Sequence, residues 1–298
     1  MNWHKFILLS VICVSAILSA AEKKVLTIGN SFTWSLRTDL PAIAKAQGDT
    51  LKLEFANHGG CTIQRHWGYV EEEEAKPEVK KYSFRKKKVK LREILAAEKW
   101  DIVTIQQASP RSWIKGSFYP ELDKLVAYVK KHAPGAKILF QQTWSYRSDS
   151  KRYKEWKKTP AEMYQGIYEN YKEASAKFGF GVIPSGLAVE IATAEQPVKF
   201  TAVPAETIKQ CKQDQVPEQP GSLHVGWRWQ KDKKSGKVSL KNDSAHLNNR
   251  GRYLQSCVWY GYIFGKSPLE IKYDGQKLDK KDAEFLRRCA DKALKTYK

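Results

Sequence analysis

A serine, a histidine and an aspartate draw attention through their neighbours. Ser31 lies in Gly29-Asn30-Ser31-Phe32-Thr33, immediately after a short apolar run. Asp243 and His246 stand three apart in Asp243-Ser244-Ala245-His246-Leu247, far downstream. Between them come a glycine turn, Asn57-His58-Gly59-Gly60-Cys61-Thr62, and an amide pair in Gln106-Gln107-Ala108-Ser109. These residue types suit acyl transfer. A serine hydroxyl is a weak nucleophile until a base accepts its proton. A histidine can be that base, and an aspartate can hold its tautomer and stabilise the imidazolium. Backbone N–H groups in a glycine turn, with a side-chain amide, can hold the oxyanion. Each segment alone is weak. A serine after a strand is a common cap, Gly-Gly is a common turn, and Asp-x-x-His arises by chance. Their joint placement carries the reading.

The elements that must position these residues alternate. Val25 to Ile28 reads as a strand, and Asp39 to Gln47 as a helix with Asp39 as N-cap and Pro41 in its first turn. Leu51 to Phe55 alternates and reads as a second strand. The charged stretch from Glu71 to Lys90 is less legible, and ends in a helix from Leu91 to Glu98. Asp101 to Ile105, Lys137 to Phe140 and Phe180 to Ile183 read as three more strands. Helices fall between them at Tyr119 to His132 and Pro160 to Phe178, with a helical patch near Leu187. Helices are also expected from Asn249 to Phe264 and from Lys280 to Tyr297. Strand and helix in alternation mean a parallel sheet with helices on both faces. Such sheets bind ligands at the carboxyl ends of their strands. The candidate segments follow strands one, two and three. The stretch from Pro197 to Asn242 reads as an irregular insertion, and a long irregular stretch in a compact domain is usually functional or disordered.

The composition supports a packed core under a basic surface. The 298 residues include 52 Lys and Arg against 32 Asp and Glu, for a net charge of +20. Apolar residues make up 42% and aromatics 12%, which excludes a disordered polycation. Residues 1–21 have the pattern of a secretory leader: one Lys, an apolar run from Phe6 to Leu18, then Ser19-Ala20-Ala21. The run is too short to span a bilayer, and no later segment is long and apolar enough. The expected mature chain, residues 22–298, is a single domain that is periplasmic or extracellular. Cys61, Cys211, Cys257 and Cys289 remain in it, and export permits a disulfide whose pairing the spacing does not settle.

The segments resemble the blocks of the SGNH/GDSL hydrolases. Ile28-Gly29-Asn30-Ser31-Phe32 is similar to the first block, in a secreted branch with Gly-Asn-Ser where Gly-Asp-Ser is usual. Gly59-Gly60-Cys61-Thr62 resembles the second block, and Asp243-Ser244-Ala245-His246-Leu247 the last. The likeness runs from Val25 to about Ala293. It implies a flavodoxin-like three-layer α/β/α fold with a five-stranded parallel sheet, and Ser-His-Asp hydrolysis of esters, often acyl groups on carbohydrate. Ser31 is then the nucleophile, His246 the base and then acid, and Asp243 its orienter. The Ser31 and Gly60 N–H groups would form the oxyanion hole. The usual third block, Gly-x-Asn-Asp, is absent, so Gln107 or Gln106 is expected to replace its Asn.

Substrate is less legible. Trp34, Trp67 and Trp144, with Trp113 and Tyr146, lie just past strand ends, where aromatic faces suit sugar rings or simply pack. His58 and His66 neighbour the second block and either line the site or lie on the surface. Lys80 to Arg92 holds eight Lys or Arg, most simply a solvated face. The expected partner is a small ester or acylated carbohydrate, with an anionic polymer as a further candidate, and no specific nucleic acid. A monomer without cofactor or metal is expected. The rival reading is a non-catalytic secreted binding protein for an anionic polysaccharide on the same scaffold.

Overall fold

The structure is a computed structural model that describes residues 20–213 and 215–297. The expected leader therefore lies outside the described residues, except for Ala20 and Ala21. Ala21 donates its N–H to Asp49 Oδ1 (2.9 Å) and accepts from Thr50 N–H (2.9 Å).

Val25, Leu26 and Ile28 are fully buried and make β1 (Glu22–Gly29) an interior strand. Two helices follow it, α1 (Ser31–Trp34) and α2 (Asp39–Ala46), and then β2 (Thr50–Asn57). Next come α3 (Ile63–Ala75), a hairpin of β3 (Tyr82–Phe84) and β4 (Lys87–Val89), and α4 (Leu91–Ala96). β5 (Ile102–Ile105), α5 (Glu121–His132) and β6 (Lys137–Gln141) continue the alternation. After α6 (Lys151–Trp156) and α7 (Pro160–Phe178) comes the short β7 (Val182–Ile183). The chain then forms α8 (Ser185–Glu195), α9 (Ala205–Gln210) and a hairpin of β8 (His224–Lys231) and β9 (Val238–Leu247). It ends in α10 (Asn249–Phe264) and α11 (Lys280–Thr296).

The five-stranded sheet runs β2-β1-β5-β6-β7, all parallel. This is the flavodoxin-like three-layer arrangement, whose strand order reverses between β1 and β5. Every residue of β5 is buried, because helices cover both faces of a parallel sheet. On one side α2, α8, α10 and α11 pack together, and on the other α3, α4 and α5. The register matters for the site. Gly29 pairs with Asn57, and Ile28 with Ile105, so the segments after β1, β2 and β5 emerge side by side.

Helix α7 spans the residues expected of it: Thr159 and Glu162 form a capping box, Pro160 opens the first turn, and Gly179 closes it in the left-handed conformation. Other expectations are corrected. Asp39 is not an N-cap but the first residue of α2, buried and receiving the Tyr273 hydroxyl (3.1 Å). The charged stretch contains the last turns of α3, which carry Glu71 to Glu74, and the β3–β4 hairpin, which turns through Arg85 and Lys86 at positive φ. The stretch from Pro197 to Asn242 is not irregular, since it holds α9, β8 and part of β9. The four cysteines are free, and burial pushes the thiols of Cys61 and Cys289 up to about 12. Among the described residues no helix is long and apolar enough to cross a membrane.

Candidate active site

Ser31 opens α1 directly beyond β1. Asn30 stands just before it in an extended conformation, and its Oδ1 accepts the Phe32 N–H (3.1 Å). As the first helical residue, Ser31 leaves its own N–H without an intrahelical acceptor. Asp243 and His246 arrive from the far side, on β9 rather than on a loop. His246 Nδ1 lies 2.8 Å from Asp243 Oδ1, and His246 Nε2 lies 2.8 Å from Ser31 Oγ. A carboxylate only accepts, so Nδ1 carries the proton and Nε2 accepts from the serine hydroxyl. The His246 backbone N–H also donates to Asp243 Oδ1 (3.1 Å), and Arg228 donates to Oδ2 (3.0 Å). Burial opposes the charged form of Asp243, but the bonds and charge of His246, with Arg228 beside them, hold its carboxyl below the usual range.

The imidazole is packed as well as bonded. Phe32 presents its ring to His246 at 5.6 Å, nearly edge on, and stacks on Trp144 at 4.1 Å. Trp144 Nε1 donates to the Ala245 carbonyl (2.9 Å), tying the end of β6 to β9. Gln255 of α10 donates to the Phe32 carbonyl (3.1 Å) and so holds α1 from below. Arg147, buried, forks onto Asp149 (2.8 Å and 2.8 Å) and also donates to Gln219, Ser222 and Asn242. It fastens the β8–β9 hairpin to the sheet.

The glycine turn is held beside Ser31 by Asn30, whose Nδ2 donates to the Cys61 carbonyl (3.1 Å). Gly60 adopts positive φ at +60°. Its N–H and that of Ser31 have no acceptor among the described residues.

The two glutamines do not offer an amide to an oxyanion. Both are fully buried. Gln106 Nε2 donates to Asn30 Oδ1 (2.9 Å) and toward the Gln107 carbonyl (3.4 Å). Gln107 Nε2 donates to the Ser117 carbonyl (2.7 Å) and to Gln64 (3.2 Å), while its oxygen accepts from Ile63 and Ala108. Gln106 thus orients Asn30, and Gln107 braces the loop that follows β5.

A hollow of about 330 Å³ lies over Ser31 and His246, with Trp34, Trp144, Arg228 and Arg252 in its walls. Of the aromatics named from sequence, Trp34 stands in this wall. Trp144 is fully buried against Phe32, so its face is not free for a ligand. Trp67 is not in the walls: it packs edge-on to Tyr128 of α5 at 6.2 Å. Trp113 packs on Trp156 at 5.4 Å, and Tyr146 lines a neighbouring hollow. His66 is fully buried behind the site. It donates to the Gly29 carbonyl (3.0 Å) and accepts from the Tyr82 hydroxyl (2.9 Å), and burial drives it down to about 3, so it is neutral. His58 packs on Tyr69 and Tyr82 and is absent from the walls. Arg228, Arg147 and Arg252 escaped sequence reasoning. The alternating Trp227-Arg228-Trp229 run was the available signal for the strand that carries the first.

Residues 24–199 match a family described as a domain of unknown function, DUF4886. The chain belongs to the DUF4886 family. That match contains Ser31 and stops short of Asp243 and His246. A DUF4886 family protein from Bacteroides uniformis has a crystal structure similar over 92% of this chain and 95% of that one, with 24% identity and a TM-score of 0.71. A protein from Slackia heliotrinireducens described as a candidate SGNH hydrolase is similar over 80% of this chain and 97% of that one, with 16% identity and a TM-score of 0.51. These likenesses show that this DUF4886 chain has the SGNH hydrolase fold. No curated protein matches it.

Proposed function

We propose that this DUF4886 protein is an exported serine esterase that hydrolyses carboxylic esters, among them O-acetyl groups on carbohydrate. One observation carries the reading: the unbroken hydrogen-bond chain Asp243–His246–Ser31, with 2.8 Å at each link. In the proposed reaction Ser31 Oγ attacks the ester carbonyl as its proton passes to His246 Nε2. The Ser31 and Gly60 N–H groups hold the oxyanion. The tetrahedral intermediate collapses, and His246 gives its proton to the departing alcohol. Water, deprotonated by His246, then cleaves the acyl-serine and restores the hydroxyl. Asp243 stays ionised throughout and stabilises the imidazolium. The hollow over Ser31, about 330 Å³, suits a short acyl group rather than a long chain.

Ser31→Ala tests the mechanism. It is expected to lower hydrolysis of an aryl acetate by at least about a thousandfold, with an unchanged far-ultraviolet spectrum. Undiminished turnover in that variant would overturn the serine mechanism, whereas no hydrolysis by the unaltered protein would leave the scaffold as a binding protein for anionic polysaccharide. Export is tested separately: the N-terminus of protein recovered outside the cytoplasm is expected at Glu22.

A further inference from the structure

The hollow over Ser31 adjoins others. Val225 and Arg252 wall both it and a hollow of about 550 Å³. The latter shares Asn248, Arg250, Asp279 and Asp282 with one of about 670 Å³. On the opposite flank, Asp243 is common to the Ser31 hollow and another of about 550 Å³. Ser31 therefore stands inside a row of hollows and not at its end. A lone short ester fills only one of them. The larger walls set amides, hydroxyls and charged groups among apolar side chains such as Val198, Phe285 and Trp227, which suits a chain of sugars with polar edges and apolar ring faces.

The row is basic. It contains nine Lys or Arg and four Asp or Glu. Three of the acids are already paired: Asp243 with Arg228 (3.0 Å), Asp282 with Arg250 (2.7 Å) and Glu155 with Arg152 (2.9 Å). The fourth, Asp279, caps α11. Lys151, Lys241, Arg252, Lys277, Lys281 and Arg288 make no ion pair among the described residues.

Arg252 is the most telling of these. It sits in the wall between the Ser31 hollow and the next one. Its Nη2 donates to the neutral Asn249 side chain (3.0 Å), and its Nε–H is buried with no acceptor. A buried donor without a partner costs about 1–3 kcal/mol. A turn of the side chain toward a carboxylate arriving along the row would satisfy that donor, and guanidinium groups bind carboxylates as a fork.

Resting on the esterase reading, we propose that the substrate is an O-acylated acidic polysaccharide. Its chain lies along the row, with an internal ester at Ser31 and the carboxylate of a neighbouring uronate on Arg252. The remaining unpaired bases draw in the polyanion and hold it without contacting the ester.

The test is binding, read by calorimetry in the Ser31→Ala protein. The probes are O-acetylated β-1,4-mannuronate oligomers and equally acetylated β-1,4-mannan oligomers, which differ by the carboxylate. Acidic oligomers are expected to bind at least about tenfold tighter at moderate salt, with affinity rising as the oligomer lengthens. Arg252→Gln in the same background is expected to cut the acidic-over-neutral ratio about tenfold, while Lys233→Gln, outside the row, moves it less than about twofold. If Arg252→Gln does not fold, Arg252→Lys, which loses the fork but keeps the charge, is expected to lower the ratio too. Equal affinity for the two oligomers, or a ratio that survives the Arg252 change, overturns the proposal. Because binding needs no turnover, aryl acetate hydrolysis by the unaltered protein judges the esterase reading on its own.

Discussion

Asn30 gives one amide hydrogen to the Cys61 carbonyl and accepts two hydrogens at its oxygen, from Phe32 and from Gln106. No carboxylate can do both, because it has no hydrogen to donate. The Gly-Asn-Ser spelling is thus explained by the partners that wait for it: a carbonyl on one side and two donors on the other. Asn30→Asp keeps the helix cap but turns an oxygen toward the Cys61 carbonyl. It is expected to destabilise the fold by about 1–3 kcal/mol and to lower kcat on an aryl acetate more than it raises KM. Urea midpoints and steady-state kinetics measure both. A wild-type kcat in that variant would mean that the glycine turn holds its place without Asn30. The same bonds explain why the glutamines misled sequence reasoning. Their types suit an oxyanion hole, but their donors already have partners in the core.

The β8–β9 hairpin decides whether Asp243 and His246 reach Ser31. Gly226 lies opposite Asp243 in the hairpin register, at a β-bulge, with φ at +65°. A Cβ there would lie about 2.0 Å from Gln219 Oε1 and 2.1 Å from the Arg147 guanidinium. Both space and backbone therefore require glycine. Gly226→Ala is expected to cost about 2 kcal/mol or more and to lower kcat at least about tenfold, while the helical signal of the α/β layers persists. Chemical denaturation and kinetics on the same preparation test it. The hairpin was hidden in the sequence because both strands are partly exposed and short of a continuous apolar run. By contrast β1, β5 and β6 announced themselves, since a parallel strand buried on both faces must be apolar throughout.

At the scale of the whole molecule, burial sets the charge of groups outside the walls of the Ser31 hollow. Burial raises Glu190 to about 7, against the Ser145 hydroxyl that donates to it. Between its ordinary 4.5 and that value the folded chain keeps a proton that the unfolded chain has released. Stability from this group is therefore full below pH 4.5 and is lost as pH rises through about 7. Glu190→Gln keeps the neutral form at every pH. Its stability relative to wild type is expected to improve by about 2 kcal/mol between pH 4.5 and pH 8, after allowing for partial exposure. Urea midpoints at the two pH values check it, and a difference that does not change with pH would rule it out.

The amino-acid order by itself determined the five-stranded sheet and its connections, because hydrophobic periodicity and turn residues are local signals. It also placed Ser31, Gly60, Asp243 and His246 in segments that such a sheet can gather at one edge. Only the tertiary structure decided which polar groups remain free there. Gln106, Gln107, Trp144 and His66 have the residue types of a site, but packing from distant elements buries them and takes up their donors or faces. Arg228 and Arg252 have the types of an ordinary basic surface, yet hairpin register and the start of α10 set them in the walls beside Ser31. Residue type declares what a side chain can bond, and only long-range packing settles what it does bond.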